Sequence, residues 1–397
     1  MPSSSDSSSI AQEAVSVLDL KRQYASIKDE VAAAIERVLT SQQFIGGPEL
    51  EGLERESAEY LAVNESVGCA SGTDALWLAL QASGVGPGNS VITSAVSFFA
   101  SVSSITRCAA TPVIADVDPA TLNLDPSSVE KLLKRARSNK VRAVMPVHLY
   151  GQCADMDAFR ALALEHDLEV LEDAAQAFGA SWGGRKAGAL GDVAAFSFYP
   201  SKNLSAYGDA GCVTTNHADL AERIRRLRNH GSRRRYYHEE IGWNSRLDAI
   251  QAAVLRVKLQ HVDEWNRRRR NIAGRYGELF SSAGLICSGA QSVNGQAPIA
   301  LLATRPAAYH IYHQYVVRAL RRDELRGFLT HHGIGTEIYY PVPLHLQPCF
   351  SHLGYRRGDL PEAERAAKEV LALPMFPELR EDEQLRVVAR IAEFYSQ

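Results

Sequence analysis

The turn at residues 69–76, CASGTDAL, is the first segment whose residue types suggest chemistry. Its small polar residues lead directly into an apolar helical stretch. A helix begins with N–H groups that have no partner inside the helix, so the turn could bind a phosphate through them and through the hydroxyls of Ser71 and Thr73. The alternative is that the turn is only a helix N-cap.

The second segment is residues 170–176, VLEDAAQ, where an apolar strand pattern ends in two acids followed by small residues. The carboxyl end of a strand in a parallel sheet faces the ligand crevice. A carboxylate there can keep a heteroaromatic nitrogen protonated through a charge-assisted hydrogen bond. The acid could instead cap a helix or bind a metal, but no second cluster of acids or histidines has ligand spacing, so we expect no metal site.

The third segment is residues 195–204, AFSFYPSKNL, followed by the turn-rich GDAG at 208–211. Lys202 stands in an otherwise uncharged loop, rich in aromatic and hydroxyl groups, directly after an apolar strand. Removing an ammonium group from water lowers its pKa and leaves an amine that can form an imine. For an isolated lysine the alternative is a solvent-exposed side chain, and here the neighbouring residues argue against it.

These three segments follow one another along one predicted sheet, and each matches one part of a single cofactor. The turn suits the phosphate of pyridoxal 5'-phosphate, the strand-end acid suits its ring nitrogen, and the lysine suits its aldehyde. We therefore predict a pyridoxal-phosphate enzyme.

The elements that must position these residues are short β-rich runs separated by helical stretches. This alternation predicts an α/β fold with a mainly parallel sheet covered on both faces, and a later pair of runs predicts an antiparallel return. The parallel runs are 91–93, 112–116, 143–147 and 169–171, and the return pair is 194–199 and 212–215. One long helix is expected over residues 247–265 as the hinge into a smaller α+β domain.

The domain boundaries follow from this pattern. We predict a disordered tail over residues 1–14, a large cofactor-binding domain over 15–265 and a small C-terminal α+β domain over 266–397. The first helices could pack on the small domain. A chain of 397 residues is expected to form more than one domain, because single cores stop growing below roughly 300 residues.

Composition limits the possible partners and the compartment. With 46% hydrophobic and 22% charged residues and a net charge of −3, the chain has no overall field that favours nucleic acid or an anionic membrane. No apolar run is long enough to span a membrane, and the first residues do not resemble a signal peptide. The six cysteines lie far apart, which suits reduced thiols and predicts a cytoplasmic protein; they are Cys69, Cys108, Cys153, Cys212, Cys287 and Cys349.

Beyond these separate signals, the chain from about residue 15 onward resembles the fold-type-I aminotransferases, and more narrowly the DegT/DnrJ/EryC1/StrS family of nucleotide-sugar aminotransferases. The resemblance rests on six motifs that occur together: SGTDAL at 71–76, ATPVIADVD at 110–118, PVHLYGQ at 146–152, EDAAQAFGA at 172–180, SFYPSKNL at 197–204 and WNSRLDAIQAA at 243–253.

The resemblance implies a role for each matching residue. Lys202 would form the internal aldimine, and Asp173 would bind the ring nitrogen. The remaining cofactor contacts would be Gly72, Thr73 and Ser197 at the phosphate, Phe98 on the ring, and Gln176 near the phenolic oxygen or phosphate. Asn244 would reach the phosphate of the neighbouring subunit, which implies a homodimer.

Loops in the C-terminal half look like the branch that aminates C3 of dTDP-linked 3-keto-6-deoxyhexoses. By analogy with that branch, the candidate substrate contacts are His310, His313, Tyr340 and His345. Each could instead be a structural residue near a domain interface. An arginine cluster next to two tyrosines could contact a diphosphate, but a solvated helix face explains most of it; its members are Arg225, Arg226, Arg228, Arg233, Arg234, Arg235, Tyr236 and Tyr237.

The resulting hypothesis is a two-step amino transfer. Glutamate, the usual donor in the family, would leave pyridoxamine phosphate, which would then aminate the keto sugar. Amination at C4 is the main alternative. A C3 dehydratase of the same superfamily would carry histidine in place of Lys202, a nicotinamide enzyme would need a G-x-G-x-x-G turn, and a nonenzymatic regulator would be expected to carry an added DNA-binding segment.

Overall fold

The computed structural model describes residues 14–135, 141–286 and 293–397. Its helices are α1 (Leu20–Ser41), α2 (Pro48–Leu61), α3 (Gly72–Ala82), α4 (Ala100–Arg107), α5 (Pro126–Arg135), α6 (Met156–His166), α7 (Ala218–Leu227), α8 (Ala249–Leu259), α9 (Val262–Ser282), α10 (Arg322–His331), α11 (Pro361–Glu369) and α12 (Glu381–Ser396). Short 3₁₀ helices occupy Leu149–Gly151, Leu344–Leu346 and Pro348–Leu353.

The strands follow the alternation that the sequence predicts. They are β1 (Glu65–Cys69), β2 (Ser90–Ser94), β3 (Thr111–Ala115), β4 (Val141–Met145), β5 (Glu169–Asp173), β6 (Ser181–Trp182), β7 (Arg185–Lys186), β8 (Val193–Ser197), β9 (Gly211–Thr215), β10 (Ser232–Arg234), β11 (Tyr237–His238), β12 (Ile299–Leu301), β13 (Ala308–Tyr309), β14 (Tyr315–Ala319) and β15 (Val370–Leu373). Except for Ala14, the predicted tail lies outside the described residues, and so does Cys287.

The central sheet has seven strands in the order β1-β9-β8-β5-β4-β2-β3. The neighbouring pairs from β8 to β3 are all parallel, whereas β9 runs antiparallel to both β8 and β1. The predicted mainly parallel sheet with an antiparallel return is therefore confirmed. Strands β1, β2, β5 and β8 all point their carboxyl ends to the same edge of the sheet.

Both faces of this sheet are buried, because alternate residues of each strand enter different hydrophobic clusters. Ile92, Val144 and Val170 pack with α2, α5, α6 and α8 on one face. Val91 and Leu171 pack with α3 and α7 on the other face. Burial on both sides explains why these strands are nearly continuous apolar runs.

A second core lies in the C-terminal part of the chain. There β12, β14 and β15 form an antiparallel sheet that packs with α9, α10 and α12. Val15 also belongs to this core, and its backbone pairs with Ile334. By contrast, α1 packs on α8 through a separate cluster of apolar side chains. The domain boundary between residues 265 and 266 stays a prediction.

The single helix predicted over residues 247–265 is wrong. Two helices stand there, α8 ending at Leu259 and α9 beginning at Val262. The N–H groups of Gln260 and His261 bond to the carbonyls three residues earlier instead of four, which tightens the last turn and ends the helix. The apolar spacing continues across this break, so the sequence pattern does not reveal it.

In the part of the chain that the structure describes, no helix is long and apolar enough to cross a membrane.

Candidate active site

A cleft of about 510 Å³ opens where β1, β2, β5 and β8 end, at the edge where parallel sheets bind ligands. The three segments that the sequence singled out meet in it. The C-terminal core closes its other side. Its lining comprises Ser71, Gly72, Thr73, Leu76, Ser97, Phe98, Ala100, Ser101, Val147, Asp173, Ala175, Gln176, Ser197, Tyr199, Ser201, Lys202, Asp209, His313, Gln314, Tyr339 and Tyr340.

The turn after β1 is an N-cap and also leaves room for an anion. The Ser71 hydroxyl accepts a hydrogen bond from the N–H of Asp74 at 3.1 Å, and α3 begins at Gly72. The N–H groups of the first turn therefore point out of the helix toward the cleft edge. Asp74, an acid that would repel an anion here, is paired with Arg107 at 2.6 Å.

Gly72 is required by its neighbour across the cleft. A Cβ added there would lie 2.4 Å from the Ser197 Cβ and 2.8 Å from the Ser197 hydroxyl oxygen. Real side chains do not approach so closely, so only glycine lets the turn after β1 and the end of β8 come together. The result is a narrow cradle of backbone N–H groups and a hydroxyl, which is the donor set of a phosphate site.

Asp173 lies buried at the end of β5. Its carboxylate accepts a hydrogen bond from the Ser101 hydroxyl at 2.6 Å and one from the N–H of Ala175 at 3.3 Å. Burial raises the pKa of Asp173, while the Ser101 hydrogen bond acts in the opposite direction. A cation bound beside it would offset the cost of burying this charge, so the carboxylate is suited to a protonated ring nitrogen.

Glu172, the neighbouring acid, points to the opposite face of the strand and has a structural environment. Its carboxylate accepts from the N–H groups of Gly188 at 2.8 Å, Leu190 at 2.7 Å and Gly191 at 2.7 Å. His148 completes the set at 2.9 Å through Nε2, because its Nδ1 accepts from a backbone N–H. Among the described residues no group of three acids, histidines or cysteines could hold a metal ion.

Lys202 stands in the loop after β8, with its amine facing the cleft. Burial lowers its pKa to about 8, and the charge of Asp173 acts in the opposite direction. An appreciable fraction of the side chain is therefore a neutral amine near neutral pH, which is the form that attacks a carbonyl.

The next residue, Asn203, fixes this loop. Its amide donates to the Asn266 side chain at 2.7 Å, and its oxygen accepts from Nδ1 of His313 at 3.1 Å. Burial keeps the pKa of His313 well below its ordinary value, so that ring is neutral. The loop carrying Lys202 is thus tied to two separate segments of the C-terminal part of the chain, α9 and the loop before β14.

Phe98 and Gln176 also lie in the cleft. The Phe98 side chain is 57% exposed and its ring centre is 6.3 Å from that of Tyr340. The Gln176 amide accepts from the N–H of Tyr150 at 2.6 Å and donates to the Tyr340 hydroxyl at 3.2 Å. The cleft therefore presents the exposed ring of Phe98 near a tyrosine whose hydroxyl Gln176 contacts.

The candidate sugar contacts divide into two groups. His313 and Tyr340 line the cleft, whereas His310 and His345 do not. His310 stacks on Tyr312 with ring centres 3.8 Å apart, and the buried His345 bonds to Glu364 at 3.2 Å. His310 and His345 thus have partners within the chain, and their role as sugar contacts stays a prediction.

Asn244 is exposed on the surface and does not line the cleft of its own chain. In the arginine cluster, four guanidinium groups pair with carboxylates: Arg225 with Glu65, Arg226 with Glu240, Arg228 with Glu54 and Arg233 with Glu222. Arg234 and Arg235 lie over the rings of Tyr237 and Tyr236. Most of this positive charge is therefore compensated within the chain.

The sequence did not single out Ser97 and Ser101. Their hydroxyl oxygens lie 2.6 Å apart, and Ser101 holds the Asp173 carboxylate. Ser101 lies in the first turn of α4 and Ser97 in the loop before it, so the periodicity of the sequence gives no signal that pairs them.

The chain is similar to known aminotransferases in both sequence and structure. The model of the DegT/DnrJ/EryC1/StrS aminotransferase family matches residues 25–392. A pleiotropic regulatory protein of Geobacillus stearothermophilus is 50% identical over 382 residues, covering 96% of this chain and 98% of that one. The dTDP-3-amino-3,4,6-trideoxy-alpha-D-glucose transaminase of Streptomyces venezuelae is 47% identical over 380 residues, covering 96% of each. The crystal structure of S. venezuelae DesV in complex with a ketimine intermediate superposes with a TM-score of 0.91 at 46% identity, covering 97% of this chain and 100% of that one.

Proposed function

Since the chain belongs to the DegT/DnrJ/EryC1/StrS aminotransferase family, we propose that it transfers an amino group from glutamate to the C3 keto group of a dTDP-linked 3-keto-6-deoxyhexose. The observation that carries the proposal is the cleft itself, which brings together the half-buried Lys202, the buried carboxylate of Asp173 and the anion cradle at Gly72.

The residues of the cleft fit pyridoxal 5'-phosphate. The cradle at Gly72 and Ser197 would hold the phosphate together with Thr73, and Phe98 would cover one face of the ring. Asp173 would hold the ring nitrogen protonated, and Gln176 would lie near the phenolic oxygen or phosphate. Lys202 would bind the aldehyde carbon covalently. When bound, this cofactor supplies an electron sink for a carbanion beside the transferred nitrogen.

In this proposal Lys202 has a second task once the donor's amine has displaced it. With the cofactor in place, its amine would be the group that takes a proton from the carbon bearing the nitrogen and gives one back. A pKa of about 8 suits this task, since a base whose pKa lies near the working pH can both accept and release a proton. The hydrogen bond from the Ser101 hydroxyl would keep the Asp173 carboxylate in position beside the ring nitrogen.

The choice of C3 and of a dTDP sugar is supported by the 47% identity to a transaminase named for a dTDP-3-amino sugar. His313 and Tyr340 are the proposed sugar contacts, since they face the cleft from the C-terminal core. Amination at C4 remains the main alternative, because the lining residues do not by themselves select a carbon of the sugar.

A regulatory role is the second candidate, favoured by the name of the relative with 50% identity. The paired guanidinium groups at residues 225–233 offer little free charge to nucleic acid. We favour the enzyme because the matching family is one of aminotransferases and a relative with 47% identity is named a transaminase.

One experiment separates these possibilities. Purified protein loaded with pyridoxal phosphate is incubated with glutamate and a panel of 3-keto and 4-keto nucleotide sugars, and amino sugars are detected by mass spectrometry. We expect amination of the dTDP-linked 3-keto sugar. Activity on a 4-keto sugar alone would overturn the choice of C3, and no activity on any sugar would favour the regulatory role.

The phosphate cradle makes a separate prediction. Gly72→Ala should weaken pyridoxal phosphate binding by roughly tenfold or more, because the new methyl group must push Ser197 out of the cradle and with it a charge-assisted hydrogen bond. Titration of the apoprotein followed by absorbance measures it. Gly86→Ala, at a position open to solvent, is the control, and equal affinity of the two variants would contradict the cradle.

We also propose that the active form is a homodimer in which Asn244 reaches the partner's phosphate. The contacts of the two residues beside Asn244 support this proposal. The hydroxyl of the next residue, Ser245, donates to Asp74 at 2.8 Å, and Trp243 packs edge-on to Trp77. The exposed Asn244 thus lies between two residues that contact α3, the helix whose first turn forms the phosphate cradle of its own chain.

A further inference from the structure

A second cavity, of about 40 Å³, adjoins the cleft behind the loop of Lys202. It shares with the cleft the residues Ser201, His313, Gln314 and Tyr339. Space of about 10–15 Å³ by the same measure is enough to hold one water molecule, so this cavity has room for a small group such as a carboxylate. Its remaining lining is Val17, Leu18, Arg269, Ala372, Leu373 and Met375.

Arg269, on α9, is the charged residue of this cavity and is 3% exposed. Its Nη1 donates to the carbonyl oxygens of Tyr312 at 3.2 Å, His313 at 3.2 Å and Met375 at 3.0 Å. Its Nε is buried and has no hydrogen-bond partner within the described residues. Burial lowers its pKa to about 10, so the group is positively charged at neutral pH.

The guanidinium has no close counter-charge within residues 14–135, 141–286 and 293–397. Glu378 is the carboxylate whose field acts on it, from beyond ion-pair distance, and burial raises the pKa of Glu378 as well. A buried cation that lines a cavity and has an unpartnered N–H is stabilised by an anion placed beside it.

Gln314 supplies the complementary group. Its Oε1 is buried without a partner in the described part of the chain, and its side chain lines both the cavity and the cleft. An N–H donor and an oxygen acceptor that both lack partners, on two residues that line the same cavity, match the two charged groups of an α-amino acid, its carboxylate and its ammonium.

The charges that line the cleft favour a separate cation for the carboxylate of an amino-acid donor. Among the described residues that line the cleft, the carboxylates are Asp173 and Asp209 and the cation is Lys202. In the proposed function the Lys202 amine binds the cofactor, so it does not neutralise a donor carboxylate. An amino-acid donor would bring further negative charge beside two acids. Arg269, in the small cavity that adjoins the cleft, is a buried cation that could neutralise this charge.

We propose that Arg269 binds the α-carboxylate of the amino donor in the small cavity while Gln314 accepts a hydrogen bond from the donor's ammonium group. This inference rests on the proposed aminotransferase function and names the site of its first substrate. It places the donor's amine next to Lys202, because Ser201 and His313 border both spaces.

The test measures the two half-reactions separately by single-turnover absorbance of the cofactor-loaded enzyme. Arg269→Gln should raise the glutamate concentration for half-maximal rate roughly tenfold to a hundredfold, the range for losing one charge-assisted hydrogen bond. The half-reaction with the 3-amino sugar product, run in reverse, should keep its concentration dependence. Arg269→Lys, which retains the charge, should fall between the wild type and Arg269→Gln.

Arg322→Gln is the matched control. Arg322 is also buried and donates to two backbone carbonyls, those of Val370 at 2.7 Å and Ala367 at 3.0 Å, but it lines neither the cleft nor the small cavity. Its replacement should leave the concentration dependence for glutamate unchanged even where the thermal midpoint falls.

Two results would overturn the inference. One is an unchanged glutamate dependence in Arg269→Gln. The other is equal impairment of both half-reactions, which would show that Arg269 only supports the fold.

If Arg269→Gln does not fold, the site is tested on the wild-type enzyme with 4-aminobutyrate, an amino donor that has no α-carboxylate. It should react at least tenfold less efficiently than glutamate, and equal efficiency would contradict the site. Failure of wild-type enzyme to react with glutamate would instead overturn the proposed function.

Discussion

Replacing Lys202 by alanine is expected to reduce turnover by about 10⁴ or more, the upper end of what one positioned acid–base group contributes. The loss is large because the same amine binds the cofactor covalently and moves the proton. Steady-state amino sugar formation measures turnover, and absorbance of the cofactor-loaded protein measures the covalent link. Partial recovery of the rate by added methylamine would show that the missing group is the amine.

Lys258→Met is the matched control for this variant. Burial also lowers the pKa of Lys258 to about 8, but its amine bonds to Ser205 at 3.0 Å and lies outside the cleft. Its replacement should leave turnover of the folded protein largely intact. Wild-type turnover by Lys202→Ala would contradict the proposed mechanism directly.

The same variant tests the proposed dimer. A mixed dimer of Lys202→Ala and Asn244→Ala subunits has one site with both changes and one site with neither, if Asn244 acts on the partner. Mixing the two variants under conditions of subunit exchange should therefore raise the activity above that of either alone. Activity equal to the average of the two would contradict the contribution of Asn244 to the partner.

Asp173→Asn should reduce turnover by roughly 10² to 10³, the range for removing one group that stabilises charge in a transition state. A neutral amide cannot hold the ring nitrogen of the cofactor protonated, so electrons released at the reacting carbon have a weaker sink. Single-turnover rates with glutamate measure the effect. A rate equal to that of the wild type would exclude Asp173 from this role.

Asp173→Asn should lower turnover without lowering the stability of the apoprotein at neutral pH. Because burial raises the pKa of Asp173 above its ordinary 3.8, the folded apoprotein takes up this proton at higher pH than the unfolded chain does. The contribution of this group to stability is therefore greatest at acid pH and decreases as pH rises through its folded pKa. At neutral pH the apo form of Asp173→Asn should melt no lower than the wild type, and any advantage should vanish at acid pH.

The main sheet and the order of the three motifs could be predicted because both depend on local signals. Apolar runs such as β4 and β5 need no long-range information, and parallel strands bring their carboxyl ends to one edge wherever the helices cover both faces. The meeting of the turn, the acid and the lysine in one cleft follows from that rule.

What could not be predicted depends on contacts between distant segments. The need for glycine at position 72 comes from Ser197, 125 positions later, as the close approach of the two shows. The bond from His345 to Glu364 joins residues 19 positions apart and is not visible in either residue type, and the break between α8 and α9 has no mark in the apolar spacing. The partner of a polar side chain is a tertiary property, and residue type does not disclose it.

The central claim, that Lys202 carries the cofactor and exchanges it with an amino donor, is tested most directly by locating the cofactor on the chain. The protein loaded with pyridoxal phosphate is reduced with borohydride before and after addition of glutamate, digested, and analysed by peptide mass spectrometry. We predict the cofactor's mass on the peptide containing Lys202 before glutamate and its absence from that peptide afterwards. Label on Lys258 or another lysine, or label on Lys202 that glutamate does not remove, would contradict the account.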